Sequence, residues 1–305
     1  MEQQSAPLRY RSELLAEGFT DRELQRMYRS RQLALVRRGC YVAGSSPPEA
    51  VRHRMLAVAT IDQLAPGAVL SHASAAVVHG LPCWPGLPER VQVTRPRRSG
   101  GRNDRVVHMY CAPLAPSDIV AIDDVPVTSV ARTVVDLART VSFESGVVFA
   151  DAALACGSVT VEQLSAALLG AKGWPGAPRA RRVVEFADGR AESVGESRSR
   201  VALARAGFPA PVPQWEVRDA SGRLIGRVDF GWPRWRVVGE FDGRIKYGEL
   251  VRPGSAPGDV LFAEKLREDA LRAESLQVIR WTWQDLPTFE QSSVAARLRR
   301  ALRSG

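Results

Sequence analysis

RVDFGWPRWRVVGEFDG, residues 227–243, decides how the second half of this 305-residue chain is read. Two runs rich in β-branched and aromatic residues flank a tight WPRW connection at Trp232–Trp235, which is the pattern of a hairpin. A four-residue loop there sets Asp229 opposite Val238 and diagonal to Glu240 on one sheet face. Asp242 joins them because side chains alternate with period two. Diagonal neighbours lie roughly 7 Å apart, within reach of one hard cation such as Mg2+ or Mn2+. Three carboxylates on an otherwise apolar sheet are costly unless a cation neutralises them, and that cost points to Asp229, Glu240 and Asp242 as metal ligands. The competing reading makes Asp229 and Glu240 turn caps or surface ion pairs, with Asp242 and Gly243 forming a turn.

Outward from the hairpin, PVPQWEVRD and RLIGRVDFG read as preceding strands and LQVIRWTW as a last one. Glu192–Ala206 reads as a helix carrying Glu196, Arg198 and Arg200, with Gly207 supplying the left-handed residue after its end. Asp259–Ser275 reads as a helix that sets Lys265, Asp269 and Arg272 beside an apolar stripe of Phe262, Leu266 and Ala270. Of 42 basic residues only three are lysines, and Lys246 and Lys265 both fall between Gly226 and Trp283, leaving Lys172 outside. A compact, titratable ammonium beside a metal or a reacting phosphate is the place where arginine does not substitute for lysine. The same segment is therefore the candidate active site, although chance placement and an arginine-biased composition are rival explanations.

The first 45 residues read as a small DNA-binding unit. Thr20 and Glu23 fit a capping box, so a helix starts there. Arg22, Arg26 and Arg29 then share one helix face, and LALVRRGCYV looks like a short hairpin with Arg37 and Arg38 near its turn. An arginine-rich solvated face is the plain alternative. Residues 46–170 read as a mixed α/β domain, with helices at Glu49–Leu64, Ser71–His79, Ser129–Thr140, Phe143–Ala155 and Thr160–Gly170 and strands at VQVTRP and RVVHMY. Between those strands Arg95, Arg97, Arg98 and Arg102 form a basic loop. His72 and His79 share a helix face but have no acid or thiol at ligand spacing, so core or capping roles suit them better than metal binding. A glycine-, proline- and arginine-rich stretch at 171–182 is the expected linker, and 183–305 the C-terminal domain.

Net charge +9 and a pI near 10.0 favour anionic partners, nucleic acid first among them. No apolar run approaches membrane-spanning length and the N-terminus lacks a secretory core, so a cytoplasmic protein with no membrane partner is expected. The cysteines Cys40, Cys83, Cys111 and Cys156 lack CxxC spacing and read as reduced thiols.

The order ESRSR (Glu196–Arg200), GFPAPVPQ, RVDFGWP, VVGEFDGRIKY, EKLREDALR and VIRWTW resembles the very-short-patch-repair-like branch of the restriction-endonuclease fold. RRGCYVAG, SHASAAVVHGLP and VPVTSVARTVVDLA resemble AbiEi-type antitoxin proteins, which join a winged helix to a mixed α/β domain. The resemblance implies an α+β chain with a C-terminal α/β/α PD-(D/E)XK core, in which an aspartate and a glutamate hold Mg2+ and a lysine serves the attacking water. Carried over, Asp229 is the first acid, Glu240 the second and Glu196 a supporting acid. The lysine position, two after the glutamate, is Asp242 here, so Lys246 or Lys265 must take that role if hydrolysis is retained. The expectation is a DNA-associated protein with a Mg2+-dependent endonuclease domain. The alternative is a non-enzymatic antitoxin-like repressor, or a protein neutralising a toxin partner, with a degenerate nuclease fold.

Overall fold

Local sequence signals place most of the elements, and long-range pairing then gathers them into three sheets. The computed structural model describes residues 7–97, 102–243, 266 and 269–303. They fall into two compact units, Met1–Phe149 with Ser158–Val184, and Ala150–Gly157 with Glu185–Gly305.

The first unit opens with β1 (Leu8–Tyr10), α1 (Arg11–Ala16), α2 (Asp21–Arg29), β2 (Leu33–Arg37) and β3 (Cys40–Ala43), the strands forming an antiparallel sheet in the order β1-β3-β2. The capping box starts α2: the Thr20 hydroxyl accepts the Glu23 N–H, and the Glu23 carboxylate accepts the Thr20 N–H at 2.7 Å. Leu14, Leu24 and Leu33 make a small core beneath the two helices. Val36, Cys40 and Val42 pack on Met55 and Ala59 of α3 (Glu49–Ile61), so the hairpin shares a core with the next segment.

A six-stranded mixed sheet follows, in the order β6-β7-β5-β4-β9-β8. Its strands are β4 (Val69–Leu70), β5 (Val91–Arg95), β6 (Arg102–Asn103), β7 (Val107–Cys111), β8 (Ile119–Ile122) and β9 (Val125–Thr128). The helices of this region are α4 (His72–Val78), α5 (Val130–Thr140), α6 (Phe143–Ala155), α7 (Val161–Gly170) and α8 (Ala177–Phe186). Leu70, Val91, Val93 and Val127, fully buried, join Ala57 and Ala75 in one core. The expected linker at 171–182 holds the start of α8, and the division between the units falls after Val184.

In the second unit α9 (Val194–Arg205) is capped by Ser193 and followed by Gly207 at φ 73°, as its sequence predicts. Four strands, β10 (Val212–Arg218), β11 (Leu224–Trp232), β12 (Val237–Asp242) and β13 (Gln277–Thr282), pair in that order. The first two junctions are antiparallel and the last is parallel. Neighbouring residues of β12 supply two different cores. Val237 joins Phe230, Trp232, Ile279 and Trp281 with Leu203 of α9 and Leu298 of α10 (Ser293–Ala301); Val238 joins Val217, Val228, Leu271 and Leu276. Such alternation is what a strand covered on both faces requires. Helices interspersed with mixed sheets make the fold class α+β. Among the described residues no helix is long and apolar enough to cross a membrane.

Candidate active site

The central hairpin is built one residue along from the register its sequence suggests. Trp232 pairs with Val237, Gly231 with Val238 and Phe230 with Gly239, so the loop is Pro233–Arg236 rather than Trp232–Trp235. Burial explains the shift. Trp232 stays in the strand because its indole is fully buried and its Nε1 donates to the Pro209 carbonyl at 2.8 Å. Pro233 then opens a 3-10 turn, and Arg236 closes it in the left-handed conformation at φ 54°, ψ 38°. By the same count Asp229 stands level with Glu240, not opposite Val238 and diagonal from it. That level lies one step past the last pair of the β11–β12 ladder, Phe230–Gly239.

The ladder hands over to side chains at this level. Past the Phe230–Gly239 pair, the N–H of Phe241 donates to the Asp229 carboxylate at 2.7 Å. Glu240 is buried, and its carboxylate accepts from Arg280 Nε at 2.7 Å. Arg280 is also its direct partner across the parallel β12–β13 junction. On the other side, Gln214 lies between the pairs Pro213–Phe230 and Trp215–Val228, and so level with Asp229. Its φ of 51° marks a break in the regular strand. Gln214 Nε2 donates to Glu196 Oε2 at 2.7 Å. One polar row thus crosses all four strands, Gln214, Asp229, Glu240 and Arg280, and reaches α9 through Glu196.

Glu196 is buried, and both its oxygens are engaged. Oε1 accepts the Ser193 hydroxyl at 2.8 Å, and Oε2 accepts the Glu192 N–H at 3.0 Å as well as Gln214. That anchorage at the start of α9 makes it a rigid support for the row. Gly195, next to it, leaves room for the Phe241 ring, which a Cβ would strike. The helix bearing one acid is therefore seated directly on the residue that follows another. Asp242 is half-buried and level with Thr282. Lys246 and Lys265 lie outside the described residues, and so does Arg98 of the basic loop.

Gln214 and Arg280 escaped the sequence reading. A polar side chain inside an apolar strand was the available signal in both cases: Gln214 in VPQWEV and Arg280 in QVIRWT. Asp229 and Glu240 offer hard oxygen donors on adjacent strands. Among the described residues no group of three or more His, Cys, Asp or Glu is arranged to hold a metal ion. Two carboxylates nonetheless fit Mg2+, which commonly takes one or two protein carboxylates and completes its shell with water and substrate phosphate.

At the N-terminal unit, Arg22, Arg26, Arg29 and Arg38 are exposed. Arg37 is not available in the same way: its Nη1 donates to the Ala59 carbonyl at 3.1 Å and to Thr60 Oγ1 at 3.0 Å, tying the hairpin to the end of α3. His72 and His79 take structural partners. His72 Nδ1 meets Ser71 Oγ at 3.0 Å and its ring stacks on Tyr110, while His79 Nε2 meets the Thr128 carbonyl at 2.7 Å. Burial pushes the His72 imidazole down to about 4.

No family model matches the chain. It is similar to two curated proteins of Mycobacterium tuberculosis, the uncharacterized protein MT2308 and the uncharacterized protein Rv2248. With each it is 31% identical over 155 residues, covering 51% of this chain and 52% of the relative. The chain therefore spans about half the length of the curated relatives it matches. Among solved structures it is similar to the RV2827C protein from Mycobacterium tuberculosis, with a TM-score of 0.39 and 16% identity over 70% of this chain and 83% of that one.

Proposed function

We propose that the second unit is a metal-dependent DNA endonuclease of the PD-(D/E)XK type and that the exposed arginines of the N-terminal unit hold the DNA backbone. The observation that carries the reading is the level placement of Asp229 and Glu240 on adjacent strands, flanked by Gln214 and Arg280. Asp229 and Glu240 would hold Mg2+, which when bound acidifies a coordinated water and offsets phosphate charge. Glu196, clamped by three donors, fixes Gln214 and so the edge of the row. Arg280 neutralises Glu240 in the free protein, and its guanidinium fork suits a phosphate oxygen once DNA arrives. Arg22, Arg26, Arg29 and Arg38 grip phosphates, which gives salt-sensitive affinity without base choice.

One observation favours a second reading. With Asp242 in the lysine position and Arg280 already on Glu240, the unit would bind DNA without cutting it, as an antitoxin-like repressor or a partner of a toxin. Plasmid incubated with the protein and Mg2+ or Mn2+ separates the two. Nicking that needs the metal and is lost in Asp229→Asn and Glu240→Gln supports the nuclease. Salt-sensitive retention of DNA with no nicking supports the binder and removes the enzyme reading.

A further inference from the structure

We propose that Arg280 is a latch on the candidate site: in the free protein it occupies Glu240, and it lets go when a DNA phosphate takes the guanidinium and a divalent cation takes the carboxylate. DNA and metal then bind cooperatively through this one side chain. The latch rests on the reading of Asp229 and Glu240 as metal ligands and adds to it a coupling that the acids alone do not require.

Glu240 needs a cation beside it. Its side chain is 9% exposed, and Val238, two residues earlier on the same strand face, is fully buried. A carboxylate so placed is costly without a partner. β13 supplies one: Arg280 stands directly across the parallel junction, and its Nε donates to Glu240 Oε2 at 2.7 Å. Strand pairing fixes both backbones, so the two side chains meet whenever the sheet forms. They differ in freedom. The Arg280 side chain is 35% exposed on a long stem, so its guanidinium can swing towards solvent, whereas the Glu240 carboxylate cannot follow. The movable member of the pair is the arginine.

Two cations on one buried carboxylate compete. Like charges repel strongly where water is excluded, so Arg280 lowers the affinity of Glu240 for a divalent ion as long as the pair is closed. Opening the pair with nothing in place of the guanidinium strands a buried charge, which keeps it closed in the free protein. A DNA phosphate alters both sides of that balance. It offers Arg280 the anionic oxygens that a guanidinium fork prefers, and it leaves Glu240 in need of a new cation. Each ligand therefore raises the affinity for the other, and by the same factor.

Two binding measurements on the full chain test the latch without recourse to cleavage: Mn2+ titration read by the paramagnetic resonance of unbound Mn2+, and duplex binding read by fluorescence anisotropy at constant ionic strength. In the wild-type protein Mn2+ should tighten duplex binding on the order of tenfold. Arg280→Gln should bind Mn2+ without DNA on the order of tenfold more tightly than wild type, and its duplex affinity should no longer respond to Mn2+. Arg218→Gln, which removes an equal charge from an exposed position on the edge strand β10 of the same sheet, should behave as wild type in both. An equal gain in Arg218→Gln marks a general charge effect and overturns the latch. Mn2+ uptake that Asp229→Asn abolishes, yet that is equal in wild type and Arg280→Gln, overturns the latch and leaves the metal site standing; no Mn2+ uptake with or without DNA removes both. If Arg280→Gln fails to fold, the wild-type protein decides: tightening by Mn2+ that is lost in Glu240→Gln sustains the latch, and duplex affinity indifferent to Mn2+ overturns it.

Discussion

In the second unit Glu240 is paired with Arg280, whose side chain is 35% exposed, whereas in the first unit Asp136, 1% exposed, is shared by Arg132 and Arg139. Both clusters join carboxylate to guanidinium at about the same hydrogen-bond length, yet their surroundings assign them opposite uses. The Glu240 pair opens towards water through Arg280 alone, so the guanidinium has access to solvent while the carboxylate it neutralises stays buried. The Asp136 cluster is sealed, with its charges held at low dielectric, and removing any member leaves the others uncompensated. The row in the second unit is therefore where the proposed chemistry would sit. Within the sealed cluster Nη2 of Arg132 and Nε of Arg139 have no hydrogen-bond partner, and both guanidinium groups lie over the Trp174 ring.

The largest expected effect comes from breaking the sealed cluster. Asp136→Ala leaves two buried guanidinium groups facing each other and should cost about 3–5 kcal/mol of stability, read as a lower urea midpoint at unchanged slope. If it costs no more than the loss of Arg280, the contrast between the two clusters is wrong.

Acid should expose the same contrast through His72, which senses the charges of Asp136, Arg132, Arg139 and His108. Its folded value is pushed from 6.5 down to about 4, so between those values the unfolded chain holds the extra proton. Stability is thus full above pH 6.5, falls as pH drops through that window and levels off below about 4; the contribution lost is on the order of 3 kcal/mol. His53, likewise pushed to about 4 by burial, adds to the slope. His72→Asn, which tolerates the left-handed backbone of this position at φ 51°, should flatten part of the curve of melting temperature against pH. An unchanged curve would separate His72 from the acid response.

The smallest effect is expected at the half-open pair. Arg280→Gln should cost about 1–3 kcal/mol, less than Asp136→Ala because the Arg280 side chain is 35% exposed, while altering metal affinity, measured by Mn2+ titration, because Glu240 loses this guanidinium. A large unfolding effect would place Glu240 with Asp136 as a structural acid and count against the proposed site.

The acids of the second unit were legible because strand alternation is a local property: Glu240 and Asp242 share a face whatever the rest of the chain does. The capping box of α2 was legible for the same reason, since Thr20 and Glu23 meet within one turn. The cluster in the first unit was not. Arg132 and Asp136 read as ordinary polar positions of a helix, and only packing against Pro113, Asp118 and Trp174 turns them into a sealed network. The arginines of the hairpin turn looked equivalent, and the structure separates them, because Arg37 is spent on the carbonyl end of α3 while Arg38 is exposed.

By itself the sequence determined where helices start, which strand positions carry charge, and that acids gather around the 227–243 hairpin, because backbone dihedrals and capping act over a few residues. The tertiary structure decided the loop at Pro233–Arg236, the level meeting of Asp229 with Glu240, and the arrival of Arg280 from 40 residues away and of Gln214 beside Glu196. Those choices depend on which buried side chains fill the two cores of the sheet, with the burial of Trp232 foremost. That is a sum over distant contacts which no local pattern encodes.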